Sequence, residues 1–132
     1  MPNIAVCFKY VIDEADLKVE ASTHALKFDR VGRKTSDFDR NAIESGTQLV
    51  EVLGGSLTAV TVGGTEAKVG FKDVLSRGAD RGVHVCEDIL STIDTPVTAK
   101  VLAAALQETG PYDLILFGEG SSDIYAQQVG PR

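Results

Sequence analysis

The chain has 132 residues, 43% of them apolar and 24% charged, and carries a net charge of −6. This is an ordinary soluble globular composition with material for one core. It excludes a membrane span, because no apolar run approaches the roughly 20 residues required, and it opposes nucleic-acid binding, which calls for a basic stripe.

The elements follow in alternation. Asn3 to Phe8 is a short apolar run suited to a central parallel strand, so the amino terminus reads as strand rather than signal peptide. Leu17–Glu20 and Ala25–Asp29 flank "ASTH" and predict a small antiparallel hairpin. Asp37 is the expected N-cap of a helix with Phe38, Ala42, Leu49 and Leu53 on its inner face, flanked by Ile43 and Val50 and ended by Gly54-Gly55. Leu57–Val62 is the next strand. Thr65 is placed to cap a second helix, with Ala67, Phe71, Val74 and Leu75 inward and a stop at Gly78. Gly82–Cys86 is the third core strand. Thr95 is the expected cap of a helix with Pro96 in its first turn, with Val97, Val101 and Ala105 inward beside Leu102 and Leu106. "YDLILFG" is the fourth core strand, and a helix start is expected near Ser122–Asp123.

Strands separated by helices require right-handed crossovers and a parallel sheet, hence a doubly wound α/β layer. Ligands of such sheets sit beyond the carboxyl ends of the strands. That directs attention to "KYVIDE", "GGTEA" and "GEGSSD", which follow strands one, two and four.

Gly118, Gly120, Ser121 and Ser122 have little side-chain bulk, so backbone N–H groups there can approach an anion closely. Ser122 or Asp123 equally suits a helix N-cap. Gln127 and Gln128 either read a purine edge or phosphate oxygen, or lie on a solvated face. Gly63-Gly64 either turns the chain or leaves room for a flat ring. Lys9 and Asp13 read as a structural ion pair rather than a catalytic one, and His84 as a core or surface histidine. Cys7 and Cys86 lack C-x-x-C or zinc spacing and fit small buried apolar residues of a reducing, cytoplasmic setting. There is no G-x-S-x-G elbow and no nucleophile–base–orienter set, so chemistry by a bound cofactor is favoured over side-chain catalysis.

Taken together, "VCFKYVIDEAD", "TSDFDRNAIESGTQLVE", "LTAVTVGG", "DVLSRGADRGVHV" and "DLILFGEGSSDIYAQQVGP" resemble, in order and over almost the whole chain, the β subunit of electron transfer flavoproteins. "DVLSRG" and "SSDIYAQQVG" are most similar to the branch linked to anaerobic acyl-CoA metabolism and nitrogen fixation. The resemblance implies a Rossmann-like fold of the adenine nucleotide alpha hydrolase type and an electron carrier rather than an enzyme. It implies a heterodimer with an α subunit that holds most of one FAD. The β subunit would hold AMP or a second FAD, and the complex would exchange electrons with acyl-CoA dehydrogenase-type or other flavin dehydrogenases. The family's β subunit is about twice this length, so residues 1–132 are expected to be its N-terminal nucleotide-binding domain, truncated at the C-terminus.

Carried over by position, Cys7 and Lys9 would line the site after the first strand. Asp37, Phe38 and Asp39 would approach the adenine or ribose, and Val62 and Gly63 would flank the ring. Gly118, Glu119, Gly120, Ser121, Ser122 and Asp123, then Gln127, Gln128, Val129 and Gly130, would wrap the phosphates through backbone amides. The sequence departs from the family's D-D-D-x-N-Q-T-G stretch: Ile124 and Tyr125 replace two carboxylates and Val129 replaces a threonine. These changes look more like the version that accommodates the diphosphate of FAD. A stand-alone nucleotide-binding regulator similar to universal stress proteins is the alternative, although the glycine-rich phosphate loop of those proteins is missing.

Overall fold

A computed structural model describes all 132 residues. Its centre is a four-stranded parallel sheet of β1 (Asn3–Cys7), β6 (Ser56–Gly63), β7 (Arg81–Cys86) and β8 (Leu114–Phe117), in the order β7-β6-β1-β8. Two small antiparallel pairs lie between β1 and the first helix: β2 (Tyr10–Ile12) with β5 (Arg33–Thr35), and β3 (Lys18–Val19) with β4 (Leu26–Lys27). Helices α1 (Asp37–Leu53), α2 (Gly70–Ser76) and α3 (Thr95–Thr109) complete the layers. This is the expected Rossmann-like doubly wound α/β fold, with the predicted hairpin reduced to two residues a side.

Alternation along β1 builds the two halves of the core, because successive side chains leave opposite faces of a strand. Ile4, Val6 and Phe8 join Ile43 of α1, Val74 of α2, and Leu57 and Ala59 of β6. Ala5 and Cys7 pack with Val60 and with Leu102 and Leu106 of α3 on the other face. All of these are buried, and the apolar run of β1 reflects cover on both sides.

The helix boundaries differ from expectation by one position at two N-termini. Ser36, not Asp37, caps α1, and Asp94, not Thr95, caps α3, where its carboxylate accepts the Val97 amide. Asp37 and Asp39 instead occupy the first turn of α1, where negative charge suits the helix dipole. The buried stripe of α1 is Asp39, Ile43 and Gly46, with Ala42, Leu49 and Val50 half-buried beside it; Leu53 faces solvent. Gly46 lets the helix lie close on the sheet, since a Cβ there would stand 2.8 Å from a methyl of Leu57. The segment after β6 begins as a 3-10 turn, Thr65–Val69, and only then becomes α2, so Gly64 takes the cap position expected of Thr65. In α3 the buried residues are Leu102 and Leu106, whereas Val97 is exposed.

Candidate functional site

Chain order reverses at β1: β6 and β7 lie to one side and β8 to the other. The crevice between the carboxyl ends of β1 and β8 is therefore the topological switch point, where open α/β sheets hold ligands. It opens into a cleft of about 850 Å³, within the size range of small-molecule sites.

Asp39 forms the floor. Its carboxylate accepts the Lys9 amide at 2.8 Å and the Gly118 amide at 3.1 Å, so one buried side chain bridges the ends of β1 and β8. Burial pushes its pKa up to about 7, against the two amides and the Lys9 ammonium, which all favour the charged form. Gly118 is required beneath it, because a Cβ there would overlap the Asp39 carboxylate and the backbone of Phe38 and Asp39.

Lys9 reaches over the crevice to Asp123, with Nζ 2.8 Å from the nearer carboxylate oxygen. This replaces the Lys9–Asp13 pair expected from spacing. Asp13 instead accepts the Ala15 amide and lies 3.7 Å from Lys34. Partial burial raises the Asp123 pKa, but the Lys9 ammonium, the Ser121 side chain and the Ile124 amide together hold it below its ordinary value. Cys7 lies in the wall with its thiol pushed up to about 12 by burial and by nearby Asp39, which leaves it un-ionised and inert at neutral pH.

The loop after β8 does not begin a helix. Ser122 donates its amide to Ser36 Oγ, Ile124 donates to the Asp123 carboxylate, and Tyr125 donates to the Ser121 carbonyl, which closes a single turn. Tyr125 and Gln127 then take the left-handed backbone conformation, with φ of 55° and 56°. The amides of Glu119, Gly120, Ser121 and Asp123 bond to no group of the chain, and neither do those of Gln127 to Gly130. All eight belong to residues lining the cleft.

Of the residues singled out from sequence, the fold brings Cys7, Lys9, Asp39, Val62, Gly63, Gly118, Glu119, Gly120, Ser121, Asp123, Gln127, Gln128, Val129 and Gly130 to this cleft. Asp37, Phe38 and Ser122 lie outside it. The Asp37 carboxylate holds Lys34 at 3.0 Å, and its amide meets Ser122 Oγ at 3.4 Å. The Phe38 ring packs on Tyr125 with centroids 5.0 Å apart. Two amides expected to be free for a phosphate are already engaged, those of Gly118 and Ser122. Asp39 faces backbone amides where a ribose or adenine contact was expected.

The cleft also has a wall that the sequence reading passed over, the segment from the end of β7 into α3. Leu90, Ser91, Ile93, Asp94, Thr95 and Thr98 line it, and the Thr95 hydroxyl donates to Gln128 Oε1 at 2.7 Å. The signal was present: β7 runs parallel to β6, so its carboxyl end had to emerge at the same rim, and "DTP" marks the helix start pointing there. Five carboxylates (Asp39, Glu66, Asp94, Glu119, Asp123) and two cations (Lys9, Arg33) line the cleft. An anion would thus be held by amides rather than by a cationic cluster. No group of three or more His, Cys, Asp or Glu side chains is placed to hold a metal ion. No helix is long and apolar enough to cross a membrane.

A mostly parallel, Rossmann-like doubly wound layer with a cleft at its switch point defines the class of α/β protein to which the chain belongs. Over residues 23–132 the sequence matches the electron transfer flavoprotein domain, and the chain belongs to that family. Members carry electrons rather than catalyse a reaction of their own, generally bind flavin, and work with other flavoproteins. This placement gives the stand-alone regulator no support.

Proposed function

We propose that residues 1–132 are the N-terminal nucleotide-binding domain of an electron transfer flavoprotein β subunit. It would work in the cytoplasm as a heterodimer with an α subunit that holds FAD, in the branch serving anaerobic metabolism. The complex carries electrons between acyl-CoA dehydrogenase-type or other flavin dehydrogenases and an acceptor. The cleft takes the diphosphate of a second FAD, with AMP as the alternative occupant. When bound, the flavin supplies the electron-accepting and electron-donating ring; this chain supplies the cradle.

The observation that carries the reading is the run of unbonded amides from Glu119 to Ser121 and at Asp123, beside the switch point. Two further features favour the larger ligand. The cleft of about 850 Å³ lies toward the upper end of small-molecule sites. Val129, where the common AMP pattern has a threonine, packs against the apolar cluster of Cys7, Val60 and Leu102 and offers no hydroxyl to a phosphate.

Acid release and chromatography of the nucleotides in the native heterodimer test the proposal. Two FAD per dimer without AMP supports the second-flavin site. One FAD with AMP supports the alternative occupant and simple transfer. A complex that takes up no flavin from added FAD overturns the carrier reading.

A further inference from the structure

We infer that Asp39 is a positioning residue whose carboxyl takes up a proton when a nucleotide phosphate enters the cleft, so that binding at this site is coupled to pH. The inference rests on the nucleotide reading above and adds to it a chemical role for a group that touches only the chain's own backbone amides.

Three observations converge on this side chain. Asp39 is 7% exposed, yet it lies at the base of the cleft rather than behind its wall. Its two oxygens hold the amides of Lys9 and Gly118, which emerge from neighbouring strands at the switch point. The unbonded amides of Glu119, Gly120 and Ser121 follow Gly118 directly, so a phosphate gripped by them sits near a second negative charge in a poorly solvated crevice.

The surrounding charges do not cancel that conflict. Lys9, after β1, is the one cation acting on Asp39, and its ammonium is already committed to Asp123 of the loop after β8. Asp123 opposes ionisation of Asp39. The Cys7 thiol on β1 is un-ionised and adds no charge. Arg33 of β5, Glu66 before α2, Asp94 at the cap of α3 and Glu119 line the same cleft, three carboxylates against one cation.

Protonation resolves the conflict without dismantling the bridge. A neutral carboxyl keeps acceptor lone pairs for both amides and gains one O–H donor. That donor can face a phosphate oxygen. The proton comes from solvent and returns there when the ligand leaves. With its carboxyl held near 7 by burial, the free site is part-protonated at neutral pH, and a bound phosphate raises its proton affinity further. Affinity for phosphate-bearing ligands therefore falls as pH rises above about 7, by up to about tenfold per pH unit until the carboxyl of the complex also ionises.

The test titrates the full chain calorimetrically with AMP, and with adenosine as the phosphate-free control, in two buffers of different ionisation heat. The series runs at about pH 7 and about pH 8. The expected result is net proton uptake with AMP that exceeds any uptake by Asp39→Asn, and none with adenosine. Because AMP's own phosphate titrates near 6, the difference between wild type and Asp39→Asn is the quantity that counts. Should that variant not fold, carboxyl NMR of Asp39 in wild-type protein gives the answer directly: its titration must move to higher pH on saturation with AMP. Equal proton uptake in both proteins, or an unmoved Asp39 titration, overturns this inference while leaving nucleotide binding intact. If AMP does not bind, the same titration and comparison are made with FAD; failure of both to bind at any pH overturns the nucleotide reading itself, and this inference with it.

Discussion

Lys9 Nζ sits between the two carboxylate oxygens of Asp123, at 3.0 Å and 2.8 Å, joining residues 114 positions apart. The same lysine gives its backbone amide to Asp39. One residue at the end of β1 thus fixes both the first turn of α1 and the loop after β8, the two segments that bound the crevice.

Replacing Lys9 with alanine should affect the cleft more than the fold. The lysine is about half exposed, so losing the pair should cost no more than about 1 kcal/mol of stability in urea melts. Asp123 would then face the ligand uncompensated, and affinity for AMP should drop roughly tenfold, or about 1.4 kcal/mol. An unchanged affinity would mean that Asp123 does not lie beside the phosphate.

Gly118→Ala should strike where Gly130→Ala does not. A methyl at position 118 collides with the Asp39 carboxylate and with backbone at Phe38 and Asp39, whereas at position 130 the nearest atom is Phe117 Cβ at 3.3 Å. We expect a loss of about 1–3 kcal/mol for the first and less than about 1 kcal/mol for the second. Equal urea midpoints for the two variants would count against the close approach of α1 to the loop.

Asp39 also predicts an unusual slope of stability with pH. Its folded-state pKa is raised from 3.8 to about 7, so the folded chain binds more protons than the unfolded chain between those values. Stability should fall as pH rises from about 4 to 7, by at most about 1.4 kcal/mol per unit, and level off above. Asp73 and Asp123 act in the opposite sense, since each is held below its ordinary value; their contribution is lost only as pH falls under about 4. Chemical denaturation of wild type and Asp39→Asn across this window should show a flatter profile for the variant.

The two thiols should separate cleanly. Cys86 is exposed at the end of β7, and Cys7 is buried with its thiol raised to about 12. Ellman's reagent should titrate one thiol in the native chain and both in denaturant. Fast reaction of Cys7 without denaturant would show that the wall of the cleft opens readily.

The sequence made the central layer legible because each core strand is a short apolar run between helix-period segments, and cover on both faces produces that pattern. Much of the candidate site followed from the same logic, since parallel strands must end at one rim. What escaped was set by tertiary contacts. Nothing in "GSSDIYAQQ" announces that Ser122 will bond to Ser36 or that Asp123 will take Lys9, and those two bonds accompany a single turn where a helix was expected. The pairing of β2 with β5 involves three residues a side, too few for alternation to register. Helix caps slipped by one position where two polar residues compete, as at Ser36-Asp37 and Asp94-Thr95. In each case the earlier of the two took the cap.

The position of β8 beside β1 carries a kinetic corollary. The Asn3 amide, at the amino end of β1, bonds the Asp113 side chain across 110 residues, and Lys9 at its carboxyl end bonds Asp123 across 114, so building the crevice means bringing together segments far apart in the sequence. Such non-local pairing is slow to form and raises the entropic barrier of assembly. During synthesis β1 must wait, flanked on one side alone, until Leu114–Phe117 have left the ribosome. A ligand seated between their carboxyl ends would then fasten β8 to β1.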